Sequence, residues 1–293
     1  MLINFTKMHG AGNDFVMLDG VNQTLELTPE RIRVLAHRHL GVGADQVIVA
    51  EPATVPNADF RYRIYNADGS EAEHCGNGAR CFIRFLHERG LTAKNPVRAQ
   101  IGNDIITLKA LEQGRVSVDM GTATFEPVAA GFDSAGLRYR REGDDTLWEL
   151  DTFPACWISV VTISNPHAVQ VVDNVDTAPV ESLGPRIEGH PRFAARVNAG
   201  FMQVLDRHSI RLRVYERGAG ETLSCGTGAC AAALTGIRRG LVQSPVRVET
   251  RGGELTISWD GSQLRMIGPT AVVFEGTIAL SALDAVDLRR IAA

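Results

Sequence analysis

The sequence predicts an α/β (α+β) protein built as two halves of like fold related by a pseudo-twofold axis. The first observation behind this is a recurring stretch: Cys75 opens CGNGARC and Cys225 opens CGTGACA. Arg61-Tyr62-Arg63-Ile64-Tyr65 leads into the first copy and Arg211-Leu212-Arg213-Val214-Tyr215 into the second, with Glu71 and Glu221 in register. Arg89-Gly90-Leu91 and Arg239-Gly240-Leu241 close the two copies. At the offset 225 − 75 = 150, eight of the nineteen positions from 61 to 79 are identical, where chance at about one match in fifteen gives roughly one. Pro96-Val97-Arg98 and Pro245-Val246-Arg247 extend the match with one residue deleted. The second observation is that each copy reads as a strand, a polar Gly-containing turn, Cys-Gly-x-Gly-Ala and then a helix. The third is length, since 293 residues suit two domains.

Taken in order, residues 2 to 7 read as a strand, His9 to Asp14 as a Gly-rich turn and Phe15 to Leu18 as a second strand. Thr28-Pro29-Glu30 supplies an N-cap, a proline at N1 and an acidic first turn, so a helix starts there. Its expected end is near Leu40, before Gly41. Gly41 to Gln46 leads into a strand over Val47 to Ala50, and Tyr62 and Ile64 mark the strand before the first cysteine. Ala79, Phe82, Ile83 and Leu86 give the helix after it, followed by strands near 97–100, 105–110 and 115–120. Gly121 and Pro127 mark the crossing between halves. The expected domains are 1–122, joined by the C-terminal 270–293, and 123–269. Residues 131 to 148 are polar and charged and read as surface. Trp157 to Ser164 is a β-rich run ending at Asn165-Pro166-His167, which echoes Gly12-Asn13-Asp14-Phe15 at an offset of 152. A helix begins at Asp176-Thr177 and Pro179 and ends before Pro191, and Asn198 starts a strand through Val204. Val214 and Tyr215 lie in the strand before Cys225, Ala229 to Leu234 in the helix after it, and strands near 246–250, 255–259, 264–267 and 271–275 finish the chain.

Composition narrows the class of function. A 44% apolar content supports ordinary cores, and a net charge of −4 with a pI near 6.1 does not suggest nucleic acid or an anionic membrane as partner. No apolar run approaches the roughly 20 residues of a membrane span, and Met1 to Phe5 reads as a first strand rather than a signal peptide. Five cysteines, an odd number, argue against a disulfide framework and for a reducing cytoplasm.

The chemistry lies in the paired cysteines. A cysteine at a helix start meets free N–H groups and the positive end of the helix dipole. Such a thiol is expected to titrate below the ordinary value of about 8.5. A pseudo-twofold could bring both cysteines to one interdomain cleft. There one thiolate would remove a proton from one face of a carbon while the other thiol delivers a proton to the opposite face, which is two-base inversion of a stereocentre. Both helix N-termini would hold the substrate carboxylate and the carbanion. A thiol redox or zinc protein is the rival from another class. Cys75 and Cys81 are six apart and Cys225 and Cys230 five, neither a usual zinc spacing. Cys81, Cys156 and Cys230 have no duplicated partner and read as packing residues.

Several stretches together resemble the diaminopimelate epimerase family. They are FTKMHGAGNDFVMLD near the start, GVGADQ at 41–46, NADGSEAEHCGNGARC at 66–81, NPHAV at 165–169, Asn198, and ERGAGETLSCGTGAC at 216–230. They span nearly the whole chain. Two departures are His74, where the family more often has Gln, and Ile163-Ser164, where Gly is common at the second place.

The resemblance implies two domains, each a curved, mostly antiparallel sheet around a central helix, with the active site between them. It implies cofactor-independent interconversion of LL- and meso-2,6-diaminopimelate, in lysine and peptidoglycan precursor synthesis, with neither pyridoxal phosphate nor metal. Cys75 and Cys225 become the acid–base pair, and His167 and Glu216 the groups that set their protonation states. Taken alone, His167 reads equally well as a structural histidine, and Glu216 with Arg217 as a surface ion pair. Asn13, Gln46, Asn66, Asn165, Asn198, Glu216 and Arg217 become substrate ligands, with Gly76, Asn77, Gly226 and Thr227 supplying backbone to the reacting end. Arg217 would grip a carboxylate bidentately. A proline-racemase-like enzyme is the nearest rival, and Arg217 with the asparagines argues for a substrate polar at both ends instead. The family is commonly homodimeric, with an aromatic of the last strand at the contact, the place held by Phe274.

Overall fold

The computed structural model describes residues 1–72 and 75–286. His74 and the last part of the C-terminal return, 287–293, lie outside the described residues. The chain is mixed α/β and divides into two compact units, one of Met1–Val118 with the chain from Pro269 onward, the other of Asp119–Gly268.

In the first unit β1 (Leu2–Gly10) and β2 (Asn13–Asp19) form an antiparallel hairpin that ends with Gly10 opposite Asn13. Its two turn residues, Ala11 and Gly12, both have positive φ, 54° and 85°, as a hairpin turn matched to strand twist requires. Helix α1 (Pro29–Ala36) is capped by Thr28, whose side chain accepts the Arg31 N–H at 3.3 Å. It is four residues shorter than the expected end at Leu40. The His37 ring nitrogen accepts the N–H groups of His39 and Leu40, both at 3.2 Å, and starts a separate turn. Gly41 then folds back over the helix end, so closely that a Cβ there would lie 1.9 Å from the Val34 carbonyl.

β3 (Gln46–Pro52) runs parallel to β2, and β4 (Phe60–Asn66) antiparallel to β3. Helix α2 (Gly76–Glu88) packs on the face of the sheet carrying Phe15, Ile48 and Tyr62, all within 3.3 Å of a Cβ built on Gly78. The opposite face, with Val16, Leu18, Val47 and Val49, joins Ile32 and Leu35 of α1 in a second core. This is the period-2 alternation of a sheet covered on both faces. β5 (Val97–Ile101) pairs parallel to β4, and β6 (Asp104–Ala110) and β7 (Arg115–Asp119) follow as antiparallel neighbours.

The second unit repeats the order. β8 (Tyr139–Glu142) and β9 (Asp145–Leu150) lead into β10 (Cys156–Ile163), which turns tightly at Ser164 (φ 58°) into antiparallel β11 (Asn165–Val171). After α3 (Val180–Glu188), β12 (Asn198–Asp206) runs parallel to β11, and β13 (Ser209–Glu216) antiparallel to β12. The short β14 (Gly220–Thr222) folds back on β13 before helix α4 (Gly226–Arg238). β15 (Val246–Thr250) is parallel to β13, and β16 (Gly253–Trp259) and β17 (Leu264–Pro269) are antiparallel neighbours. The sequence antiparallel, parallel, antiparallel, parallel is the one seen in the first unit, with α4 in the place of α2.

The expectation that 131–148 is surface needs correction. β9 pairs with β10, Leu147 and Asp145 are buried, and Phe132 stacks on Phe193 at 4.6 Å. Asp145 tolerates burial because the Ser159 hydroxyl donates to it at 2.5 Å, although burial still pushes its carboxyl up. Arg138, Arg140 and Arg141 of the stretch are exposed, which accounts for part of its polar character.

β18 (Ala271–Ala279) pairs antiparallel with β1, and α5 (Leu280–Asp284) reaches α1, where Arg31 forks onto Asp284 at 2.7 and 2.8 Å. Among the described residues no helix is long and apolar enough to cross a membrane.

Candidate active site

In the first unit, strand direction gathers the candidate residues at one end of the sheet. Asn13 opens β2, Gln46 opens the parallel β3, and Asn66 closes the antiparallel β4 directly opposite Gln46. The Gln46 amide donates to Asn66 Oδ1 at 3.0 Å, and the Asn66 amide to Ser70 Oγ at 3.1 Å. Helix α2 begins at this end with Cys75 as its N-cap, in an extended backbone (φ −143°, ψ 106°). Its sulfur accepts the Gly78 N–H at 3.4 Å. The Cys75 carbonyl takes the Ala79 N–H at 2.9 Å and the Tyr62 hydroxyl at 3.1 Å.

Asn13 joins this group. Its Oδ1 is 3.6 Å from Cys75 Sγ and accepts Asn77 Nδ2 at 3.3 Å, while its Nδ2 donates to Asp45 Oδ2 at 2.8 Å. Behind Asp45 stand Arg38, 2.6 Å from its Oδ1, and Asp14, which Arg38 grips at 2.9 Å and Lys7 at 2.6 Å. Burial opposes ionisation of Asp14, but the hydrogen bonds from Arg38, Lys7 and the Asp45 N–H together outweigh it and hold the carboxyl below its usual range.

The second unit repeats the placement with different neighbours. Asn165 opens β11, Asn198 opens the parallel β12 opposite His167, and Glu216 closes β13. Cys225 is the N-cap of α4 (φ −111°, ψ 112°), with Gly226 and Thr227 in the first turn and the Thr227 hydroxyl 3.6 Å from the sulfur. The Glu216 carboxylate takes the Thr222 hydroxyl. The Arg217 guanidinium lies on the Ala195 carbonyl at 3.2 Å, and the Arg217 N–H donates to Asn198 Oδ1 at 2.8 Å.

Here the expectation that a helix start lowers the thiol fails. Burial pushes Cys225 well above the ordinary thiol range, and the Glu216 carboxylate adds to it. The Thr227 hydroxyl and Gly228 N–H pull the other way and do not prevail. Cys225 therefore holds its proton. His167 is also shaped by burial, which with the Arg217 charge takes it down to about 3, so the ring is neutral. Its Nε2 lies 2.9 Å from Asn165 Oδ1, and with the Asn165 amide in this orientation the ring proton sits on Nε2 and Nδ1 is the acceptor.

The three cysteines expected to be packing residues are all buried. Burial takes Cys81 up to about 12 and also raises Cys156, as for inert core thiols. Reading the sequence missed two residues that touch this machinery. Asp45 is adjacent to Gln46 in GVGADQ, a carboxylate in a Gly-rich turn, and that signal was available. Tyr62 read only as a strand former, and nothing local in the sequence points its hydroxyl at Cys75.

Comparison with known proteins bears on the family and the fold. The family model described as diaminopimelate epimerase matches residues 5–126 and 159–273. A diaminopimelate epimerase of Cupriavidus taiwanensis is 61% identical over 288 residues, covering 97% of this chain and all of that one. One of Paraburkholderia xenovorans is 61% identical over 285 residues, covering 96% and 99%. Among solved structures, a hydroxyproline epimerase of Agrobacterium vitis aligns with a TM-score of 0.66 at 15% identity, over 95% of this chain and 93% of that one. A probable proline racemase of Agrobacterium radiobacter aligns at 0.68 and 16%, over 97% and 94%. At such identities these structures speak for the fold.

Proposed function

This chain belongs to the diaminopimelate epimerase family, and from that premise we propose that it interconverts LL- and meso-2,6-diaminopimelate without pyridoxal phosphate. The observation that carries the reading is that both Cys75 and Cys225 N-cap equivalent helices at the ends of equivalent strands. One thiolate takes the α-proton and the other thiol returns a proton to the opposite face, so the configuration inverts. Burial and the Glu216 carboxylate favour the protonated form of Cys225, which suits it to donate the proton when Cys75 takes one.

The N–H groups that open α2 and α4 meet the reacting carboxylate and the charge that grows on it. Asn13, Gln46, Asn66, Asn77, Asn165, Asn198, Glu216, Arg217 and Thr227 supply the polar contacts of a diamino diacid. Neutral His167 acts by accepting a hydrogen bond rather than by carrying charge. The product enters lysine and peptidoglycan synthesis in the cytoplasm. The protein works as a homodimer with Phe274 near the contact, an aromatic that lies exposed on β18 beside Val273.

The test is isotopic. In deuterated water, with LL-substrate and no added cofactor, early meso product carries deuterium at the inverted carbon, because its hydrogen comes from a solvent-exchanged thiol. Recovered substrate carries almost none. Early product free of deuterium would exclude two-base chemistry.

A further inference from the structure

We propose that Asp45 is a positioning residue. It sets the amide of Asn13 so that the carbonyl oxygen, not the NH2 group, faces the Cys75 sulfur. This rests on the reading of Cys75 as one of the two acid–base thiols.

The orientation follows from chemistry. A carboxylate only accepts, so the Asn13 atom 2.8 Å from Asp45 Oδ2 is the NH2 group and the other end is the carbonyl oxygen. Asp45 is itself held on three sides. Its Oδ2 takes the Asp14 N–H at 3.1 Å, its Oδ1 takes Arg38 at 2.6 Å, and its own N–H donates to Asp14 Oδ1 at 2.9 Å. Buried Lys7, 2.6 Å from Asp14 Oδ2, completes the support.

The consequence falls on the sulfur. Cys75 Sγ lies between the Gly78 N–H at 3.4 Å and the Asn13 carbonyl at 3.6 Å. The N–H favours the thiolate. The carbonyl can be hydrogen-bonded only by the protonated thiol and repels the thiolate. With the amide reversed, Asn13 would present an N–H to the sulfur as Gly78 does, and the thiolate would be favoured relative to the carbonyl orientation. A group that takes a proton in one direction of a reaction and returns it in the other needs both forms within reach. The carbonyl orientation provides that, and Asp45 enforces it. The device belongs to the first unit alone. At the offset of 152 that relates Asn13 to Asn165, Asp14 becomes Pro166 and Asp45 becomes Val197.

The experiment measures how fast iodoacetamide modifies Cys75 in the native enzyme near pH 7, read by peptide mapping, alongside kcat and KM. Asp45→Ala removes the acceptor of the Asn13 NH2 group, leaving the long 3.3 Å contact from Asn77 Nδ2 to Oδ1 as the remaining tie, and should speed alkylation of Cys75 roughly tenfold, the effect of one hydrogen bond to a charged atom, while lowering kcat more than it changes KM. Asp45→Asn loses the Arg38 ion pair but keeps an acceptor for Asn13, and should stay within about twofold of wild type. An unchanged rate in Asp45→Ala, or equal changes in both variants, overturns the proposal. Asn13→Ala removes the carbonyl directly and should also accelerate alkylation. No acceleration there overturns it even where Asp45→Ala does not fold. Normal turnover by Cys75→Ala would instead defeat the acid–base reading of Cys75, while the alkylation rates still report on Asp45.

Discussion

Holding His167 neutral in the interior makes stability depend on acid in a way that one substitution should remove. An imidazole titrates at 6.5 when exposed and at about 3 here, with burial as the main cause and the Arg217 charge as the second. Because the folded value is the lower one, the unfolded chain binds a proton between those limits and the folded chain does not. Stability is therefore intact above about pH 6.5 and is lost as pH falls toward 3. The whole interval is 6.5 − 3 = 3.5, or roughly 5 kcal/mol at about 1.36 kcal/mol for each unit. At about pH 4.5 the solution is two units below the pKa of the unfolded imidazole, which costs roughly 3 kcal/mol. His167→Gln removes the titration. Urea unfolding of both proteins near pH 7.5 and 4.5 isolates the effect, because other groups cancel in the difference. The wild type should lose about 2 to 3 kcal/mol more than the variant across that interval. Equal acid sensitivity in the two proteins would show that His167 is not held neutral by its surroundings.

Other outcomes follow from the same structure. Tyr62→Phe deletes the bond to the Cys75 carbonyl, but that carbonyl keeps the Ala79 N–H. The cost should be only about 1 kcal/mol, a fall in Tm of about 2 to 4 °C, with the larger effect on kcat. Cys75→Ala and Cys225→Ala should each abolish epimerisation in both directions by a chiral assay. Cys81→Ala, Cys156→Ala and Cys230→Ala should stay active with a stability loss of about 1 kcal/mol. Phe274→Glu should shift the protein toward monomer in sedimentation, because it would bury a charge in the proposed contact. A monomeric wild type would remove the premise.

Much of the fold was legible because its strongest signal is repetition. An offset of 150 places both cysteines, both preceding strands and both following helices without any propensity argument. What was not legible depends on contacts between residues distant in the chain. The end of α1 turns on a His37 ring nitrogen and on Gly41 folding back over Val34. The burial of Asp145 depends on Ser159, fourteen residues away. The site shows the same division. A cysteine before Gly-x-Gly marks a helix start, but the protonation of Cys225 is decided by its depth and by Glu216. Likewise the orientation of Asn13 is decided by Asp45, thirty-two residues further on.

These distant contacts also explain how a duplicated fold supports a reaction whose two ends are not equivalent. Two-base inversion needs one thiol protonated while the other is not, so identical surroundings would leave the pair without a preferred resting state. The backbone is repeated closely, with each cysteine an extended N-cap before the same Gly-x-Gly turn. The side chains are not. Tyr62 anchors the Cys75 carbonyl, but its counterpart at the offset of 150 is Leu212, which has no hydroxyl to offer. Asn13 is tied to a carboxylate, whereas Asn165 is tied to a neutral histidine. A carboxylate near Cys225 comes from Glu216, where the same offset in the first unit gives Asn66, an amide. That last difference has the largest electrostatic consequence, because a negative charge beside a buried thiol opposes its ionisation and a neutral amide does not. On the proposed two-thiol mechanism the duplication provides two positions for a proton, and the Glu216 carboxylate, where the first unit has Asn66, biases that proton toward Cys225.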